Sequence, residues 1–139
     1  MEKIRMLIVE DHPTIREELE EFFVEKNFAV ETAFRAQQIR AILQAQMPDI
    51  ILLDLDLPDV KGIEILQSVK ARNEEVIVII VTAYEDPETI VKALKLGAYD
   101  YVVKPYKLLK LNQIVQQSIK QIKLQREVED LRNEYVKGE

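Results

Sequence analysis

The sequence predicts an α/β domain built on a parallel β-sheet with helices on both faces. Five short apolar runs, rich in Ile, Val and Leu, recur at residues 6–9, 28–33, 50–53, 76–81 and 101–103. Two of these runs have almost no polar alternation, which is typical of strands that are covered on both faces. Patterns with the period of an amphipathic helix lie between the runs. This alternation of strand and helix favours a parallel sheet.

Each of the first four helical patterns has its apolar residues on one face. The faces comprise Ile15, Leu19, Phe22 and Phe23, then Ile39, Ile42 and Leu43, then Ile63, Leu66 and Val69, and finally Ile90, Val91 and Leu94. Thr14 and Glu17 form a capping-box pattern, which predicts that Thr14 caps the first helix. Asp86 followed by Pro87 predicts the start of the fourth helix, and Gly97 predicts its end.

The last helical pattern is long and carries two different apolar stripes. The first stripe comprises Leu108, Leu111, Val115, Ile119 and Ile122, and the second comprises Leu124, Val128, Leu131 and Tyr135. A helix from Lys107 to Tyr135 would be on the order of 40 Å long, which is more than a domain of this size needs. We therefore predict a folded domain over residues 1–122 and a helical extension over residues 123–139.

The second stripe has the spacing of a short coiled coil. Its members alternate between d and a positions of two heptads when Leu124 is assigned to d. Glu127 then falls at g and Arg132 at the following e, which is the interhelical ion-pair arrangement of a parallel dimer. The pattern is short, because Gln117 and Gln121 occupy the same seam upstream.

The composition limits the classes of partner. The net charge is −6, from 19 Lys and Arg against 25 Asp and Glu, so the surface repels nucleic-acid phosphates and anionic membranes. The lack of cysteine excludes disulfides and thiolate metal sites. The first apolar run is too short for a signal sequence, and the longest, residues 76–81, is too short to span a bilayer. We expect a cytoplasmic protein that contacts neither nucleic acid nor membrane directly.

Polar residues stand where four of the predicted strands end. Glu10 and Asp11 follow the first strand, Asp54 follows the third, Thr82 ends the fourth and Lys104 follows the fifth. The carboxyl ends of parallel strands meet at one edge of a sheet, which is where such sheets bind ligands. The sequence therefore predicts a site of three carboxylates, a hydroxyl and an ammonium.

This set of side chains suits a divalent cation and a phosphoryl group. Clustered carboxylates resist ionising together, and a hard cation such as Mg²⁺, or Mn²⁺ as a substitute, relieves the repulsion. The ammonium of Lys104 and the hydroxyl of Thr82 suit a dianionic phosphoryl group. Asp54 is then the candidate nucleophile, forming an acyl phosphate. An unpaired carboxylate directly after a buried strand is otherwise costly, so a structural role does not explain Asp54.

Taken in their order along the chain, these residues resemble the motif pattern of the receiver domain of two-component response regulators. The resemblance covers about residues 4–122. The matching positions are the acidic pair Glu10 and Asp11, the acceptor Asp54 with Leu57, Pro58 and Gly62 in its loop, the hydroxyl of Thr82, the switch aromatic Tyr101, and Lys104 with Pro105. Two positions depart from the family pattern. Glu10 replaces the commoner Asp, and Lys61 stands where a small or acidic residue is preferred.

The resemblance implies a flavodoxin-like (βα)5 fold with strand order 2-1-3-4-5, and often a cis peptide bond before the proline that matches Pro105. It also implies a phosphoryl transfer from the phosphohistidine of a histidine kinase to Asp54. Asp11 and Asp54 would bind Mg²⁺ directly, Glu10 through water and Asp56 through its backbone carbonyl. Such a domain catalyses only its own phosphorylation and dephosphorylation, so it is a switch and not an enzyme.

The resemblance further implies how the switch is read. Thr82 would move toward the phosphoryl group and Tyr101 would rotate inward, which changes the face formed by the fourth helix, the fifth strand and the last helix. We expect this change to alter partner binding or formation of a homodimer, in which the C-terminal helix takes part. An output domain outside this chain would receive the signal. Asp56 and Tyr84 would flank the path of the hydrolytic water.

Two other functions compete with the switch. Asp54-Leu55-Asp56 resembles the nucleophile motif of haloacid-dehalogenase-like phosphohydrolases, although that family places it on the first strand and needs a later acidic pair, for which only Glu85-Asp86 is available. A purely structural interaction module would not need the five-position set. His12 is interpreted as a solvated loop residue, because no second histidine or cysteine accompanies it as a metal ligand.

Overall fold

Five parallel strands form one sheet in the computed structural model, which describes residues 2–83 and 86–138. The strands are β1 (Arg5–Val9), β2 (Ala29–Ala33), β3 (Ile50–Leu53), β4 (Ile77–Thr82) and β5 (Asp100–Val103). Their order in the sheet is β2-β1-β3-β4-β5. The predicted fold class and strand order are therefore confirmed.

Each strand is followed by a helix. The helices are α1 (Pro13–Glu25), α2 (Ala36–Ala45), α3 (Gly62–Arg72), α4 (Pro87–Lys95) and α5 (Leu108–Gly138). No helix in the described residues is both long and apolar enough to cross a membrane.

The central strands are buried on both faces, as their sequences predict. Every residue of β3 and β4 is buried. One face of the sheet packs in a cluster with α2 and α3, in which Leu53, Ile39 and Leu66 are almost fully buried. On α1, Phe23 is fully buried, and its ring contacts those of Phe22 and Phe28 edge-on, with centroids 5.0 and 5.6 Å apart. Burying each such side chain contributes about 1.5–3 kcal/mol.

The start of α1 corrects one prediction. The helix begins at Pro13 and its N-cap is His12, which caps it with no side-chain hydrogen bond. The predicted capping box of Thr14 and Glu17 is therefore wrong. Proline is well suited to the first helical position, because its fixed φ matches the helix and it lacks the N–H that would remain unpaired there. It begins the helix one residue before Thr14.

The ends of α4 agree with the sequence. The Asp86 side chain caps the helix and accepts a hydrogen bond from the Glu88 amide at 3.2 Å. Pro87 is the first helical residue, and Gly97 follows the helix with a φ of 108°, which a side chain would disfavour.

The chain separates into two compact units, one up to Tyr106 and one from Lys107. Along α5 the burial changes: Leu111, Val115 and Ile122 are buried, whereas Leu124 and Leu131 are each 59% exposed. The two predicted stripes thus differ in exposure. The predicted domain boundary at residue 122 stays a prediction.

Truncating the most buried aromatic ring should destabilise the domain. We expect Phe23→Ala to lower the free energy of unfolding by about 3–5 kcal/mol, because it removes apolar contacts and leaves a cavity. Urea unfolding followed by circular dichroism measures the change. Val24→Ala, at a neighbouring position that is 54% exposed, is the control and should change stability by less than about 0.5 kcal/mol. Equal losses in the two variants would contradict the assigned burial.

Candidate functional site

The strand register brings the predicted site residues to one edge of the sheet. Val9 pairs with Leu53 at the ends of β1 and β3, so the residues after them are neighbours. Thr82 pairs with Val103 at the ends of β4 and β5. This register is the physical reason that side chains distant in the sequence share one site.

Asp54 follows β3 and is only 4% exposed. Its amide donates to the carbonyl oxygen of Val9 at 3.0 Å, which extends the sheet pairing by one residue. Its carboxylate accepts two hydrogen bonds, from the Asp56 amide to Oδ1 and from Lys104 Nζ to Oδ2, each at 2.9 Å. The carboxylate is therefore held in one orientation by two donors.

Lys104 joins the ends of three strands. Its amide donates to the Thr82 carbonyl at 2.9 Å, which fixes the backbone after β5. Its Nζ lies 2.6 Å from Glu10 Oε1 and 2.9 Å from Asp54 Oδ2. The peptide bond between Lys104 and Pro105 is cis, as the family resemblance implied. One ammonium thus neutralises part of the charge of two buried carboxylates.

The pKa values of this pair reflect burial and mutual attraction. Burial is the largest influence on Asp54 and raises the pKa of its carboxyl group, although Lys104 and the Asp56 amide act to lower it. Burial acts to lower the pKa of Lys104, but the hydrogen bonds and charges of Glu10 and Asp54 outweigh it, so the pKa is raised. The ammonium therefore stays protonated, and Asp54 bears an incompletely compensated desolvation cost at neutral pH.

The acidic pair after β1 divides into a buried and an exposed residue. Glu10 is 2% exposed, and its Oε2 accepts a hydrogen bond from the His12 amide at 3.0 Å. Asp11 and His12 are exposed. Across the part of the chain that the structure describes, no three histidine or acidic side chains lie close enough together to hold a metal ion as they stand.

The remaining predicted residues lie around this centre. Thr82 is fully buried at the end of β4, and Tyr101 of β5 is 37% exposed. Asp56 is exposed and forms an isolated antiparallel bridge with Lys61, which is itself exposed, so the unusual lysine is accommodated on the surface. Tyr84 and Glu85 lie outside the described residues.

Gly62 allows the loop after β3 to close tightly. A Cβ atom at this position would lie 2.5 Å from Leu55 Cα and 2.9 Å from the Asp54 carbonyl oxygen. Both are backbone atoms that cannot move aside without shifting the strand end. The glycine is thus required by close approach of α3 to the residues that follow β3.

Comparison with known proteins identifies the family. Residues 6–116 match the family model described as "Response regulator receiver domain". The chain belongs to this family. The chain is similar to the regulatory protein AtoC of Escherichia coli, with 34% identity over 91% of this chain and 28% of AtoC.

Solved structures agree with the family match. The receiver domain of TorR, a response regulator of the TMAO respiratory system, has 33% identity and a TM-score of 0.80, over 86% of this chain and 98% of that one. NtrX from Brucella abortus, solved with ADP, has 30% identity and a TM-score of 0.82, over 94% of this chain and 29% of that one. The chain thus spans less than a third of AtoC and of NtrX.

Family membership establishes the general role of this receiver domain. Receiver domains of response regulators are phosphorylation-dependent signalling domains that interact with histidine kinases. This role favours a switch over the phosphohydrolase and over the interaction module that is never phosphorylated.

Four residues near Glu10 and Asp54 were not predicted from the sequence to be part of the site. Arg16 donates to the carbonyl of Glu10 and stacks on the Phe34 ring, and Asp59 binds the start of α2. Tyr106 is half-buried, and burial raises the pKa of its phenol, with the charges of Glu10 and Asp54 acting in the same direction. Arg16 and Asp59 look like surface charges in the sequence, whereas Phe34 follows β2 as an isolated aromatic. No local pattern distinguishes them.

The burial of Asp54 has a consequence for stability. A carboxyl group whose pKa is raised by folding stabilises the folded state below its unfolded pKa and loses that contribution as pH rises through its folded pKa. Asp54→Asn removes the charge and leaves Lys104 paired with Glu10. We expect this variant to be more stable than the wild type at pH 7, because the amide does not carry the desolvation cost of the buried charge.

Urea unfolding at pH 7 and pH 4.5 tests this expectation. The gain in stability of Asp54→Asn over the wild type should be smaller at the lower pH, because a larger fraction of the wild-type carboxyl group is then protonated. Asp130→Asn, on an exposed part of α5, should be neutral at both pH values. A loss of stability in Asp54→Asn at pH 7 would contradict the argument.

Proposed function

We propose that Asp54 is the phosphoacceptor of a signalling switch, and that it takes its phosphoryl group from a phosphohistidine of a sensor histidine kinase. The observation that carries the proposal is the position of Lys104 Nζ, within 2.9 Å of Asp54 Oδ2 and 2.6 Å of Glu10 Oε1. A fixed cation beside a buried carboxylate is what an incoming dianion requires.

The chemistry is a transfer between nitrogen and oxygen. A carboxylate oxygen of Asp54 forms a bond to phosphorus as the bond from phosphorus to the imidazole nitrogen breaks, and the nitrogen keeps the electron pair. Lys104 then donates to the phosphoryl oxygens, and Thr82 offers its hydroxyl from the end of β4. Hydrolysis of the acyl phosphate by water resets the switch. The catalysis is confined to the domain's own acceptor.

The donor set fits Mg²⁺ by its chemistry. Glu10, Asp11 and Asp54 supply hard oxygen atoms from adjacent strand ends, and Asp56 supplies a backbone carbonyl. We propose that Asp11 and Asp54 hold the ion directly, Glu10 through water and Asp56 through its carbonyl, with Mn²⁺ as a substitute. The bound ion would supply charge neutralisation for the phosphoryl oxygens. Side-chain rotation at the acidic pair is required, since the carboxylates do not form a ligand cluster as they stand.

The readout proposal begins at Thr82 and Tyr101. Thr82 would move toward the phosphoryl group and leave space into which Tyr101, 37% exposed, rotates inward. The surface of α4 and β5 would then change shape, by a shift between populations rather than a new fold. That surface would bind a partner, a second copy or an output module.

The acceptor assignment is tested by intact mass. We expect acetyl phosphate with Mg²⁺ to add one phosphoryl group to the wild type and none to Asp54→Asn, since the amide is not a nucleophile of comparable strength. Asp130→Asn, a matched change on exposed α5, should accept the group as the wild type does. A phosphoryl adduct that persists in Asp54→Asn would place the acceptor elsewhere.

We also propose that the second stripe of α5 forms a parallel homodimer. Leu124, Val128, Leu131 and Tyr135 are 40–73% exposed, and an apolar groove along the helix is lined by three of them with Arg132 and Val136. Glu127 and Arg132 occupy the g and e positions that pair between parallel helices. A second copy of the chain would cover the apolar stripe and pair these charges between the two helices.

Sedimentation equilibrium tests the dimer. A dimer would bury the leucines of this stripe, and burial of a leucine contributes about 1.5–3 kcal/mol. Replacing one of them should therefore weaken association by about tenfold or more. We expect the dimer affinity of Leu131→Lys to be lower than that of Asn133→Lys, which adds the same charge at an exposed position outside the stripe. Addition of beryllofluoride, a phosphoryl mimic, should change the affinity several-fold. Equal association of the two variants would exclude this seam.

A further inference from the structure

We propose that residues 34–36, which form the β2–α2 corner, position the two acidic loops of the metal site although they contribute no ligand. The first acidic loop is residues 10–12, after β1, and the second is residues 54–61, after β3. Both are bound to the corner by side chains whose roles nothing in the sequence indicated. The inference deepens the proposed function, because it concerns the geometry of the same metal site.

Arg16 binds the first acidic loop to the corner. Its Nη1 donates to the carbonyl oxygens of Glu10 and Asp11, at 3.0 and 3.2 Å. Its guanidinium carbon lies 4.4 Å from the centroid of the Phe34 ring. A guanidinium can stack on a ring and donate in its own plane at the same time, whereas an ammonium cannot. Arg16 therefore fixes the backbone of both acidic residues against Phe34.

Asp59 binds the second acidic loop to the corner. Its two carboxylate oxygens accept from the Ala36 amide at 3.2 and 3.1 Å. Ala36 is the first residue of α2, so its N–H has no partner within the helix, and a carboxylate is favourable there. Asp59 lies three residues after Asp56, whose carbonyl is a proposed ligand. The contact thus restrains the loop that carries Asp54 and Asp56.

The corner is itself held in place. Gln38 Oε1 accepts from the amides of Phe34 and Arg35, at 2.9 and 3.2 Å. Directly before the corner, the carbonyl of buried Ala33 accepts from the Glu10 amide at 3.1 Å. These contacts make the corner a rigid support for both loops.

Such a support matters because the ligands come from separate loops. Asp11 is exposed, so its side chain is directed by its backbone rather than by packing. Metal ligands must lie within a few tenths of an ångström of their required positions. Loss of a residue that orients a ligand typically weakens metal affinity by about 10–100-fold. We infer that the corner sets the distance between the two halves of the site.

Charge and positioning predict opposite results for Arg16. Removing a cation next to a metal site should strengthen cation binding if only charge matters. If Arg16 positions the acidic pair, Arg16→Met should weaken binding about tenfold, and Arg16→Lys should weaken it as well despite keeping the charge. Asp59→Asn keeps an acceptor for the Ala36 amide and should bind within a few-fold of the wild type, whereas Asp59→Ala should bind more weakly.

The experiment is a Mn²⁺ titration of the full chain followed by electron paramagnetic resonance, with Mg²⁺ as competitor. Arg40→Met, at an exposed position of α2, is the matched control and should equal the wild type. Circular dichroism establishes that each variant is folded. If Arg16→Met does not fold, Phe34→Leu removes the stacking surface instead and should also weaken binding. A double variant of Arg16→Met and Asp59→Ala should lose less Mn²⁺ binding free energy than the sum of the losses in the two single variants, because both residues act through one corner.

Different outcomes separate this inference from the proposed function. Asp11→Asn, which removes a ligand, should weaken Mn²⁺ binding in either case. If Asp11→Asn weakens binding but Arg16→Met binds as tightly as the wild type or more tightly, the corner has no positioning role and the metal site stands. If the wild type binds no Mn²⁺ in a way that depends on Asp11, the metal site and the positioning role are both overturned. A loss of stability with unchanged affinity would mean that Arg16 is only structural.

Discussion

The ion pair of Lys104 with Glu10 and Asp54 is the interaction on which this site depends. The carboxylates of Glu10 and Asp54 lie almost fully buried at the edge of the sheet, where an unpaired charge is costly. The ammonium reaches them from the fifth strand, so the charge balance requires β1, β3 and β5 to end at the same level. The order of the strands, with β3 at the centre, is what makes that possible. The fold and the charge balance of the site therefore depend on the same alignment of strand ends.

Much of the fold follows from local patterns in the sequence. The runs of β3 and β4 are buried on both faces, and a parallel sheet covered by helices is the arrangement that accommodates them. The strand-end residues were predictable for the same reason, since the ends of parallel strands meet. The cap of α1 was not predicted correctly, because Pro13 and Thr14 are both start signals and the fixed φ of proline prevailed over the side-chain cap.

The contacts of Arg16 and Asp59 could not be predicted from local patterns. Arg16 lies on a helix where arginine is common, and its partners are two carbonyls of another loop and a ring after β2. Asp59 likewise binds an amide 23 positions away in the sequence. Such contacts depend on how loops meet after the sheet has formed. The sequence indicates the candidate site residues more readily than the residues that contact them.

The close approach at Gly62 limits how this region can diverge. Because the glycine lies against the backbone of Leu55, any mutation that adds a side chain must displace the start of α3 from the residues that follow β3. Neighbouring positions such as Pro58 and Lys61 are exposed and free of that restriction. Descendants of this protein would therefore vary at such exposed positions while Gly62 stays unchanged. Substitutions at such exposed positions leave unchanged the distance between Asp54 and the helix that follows it.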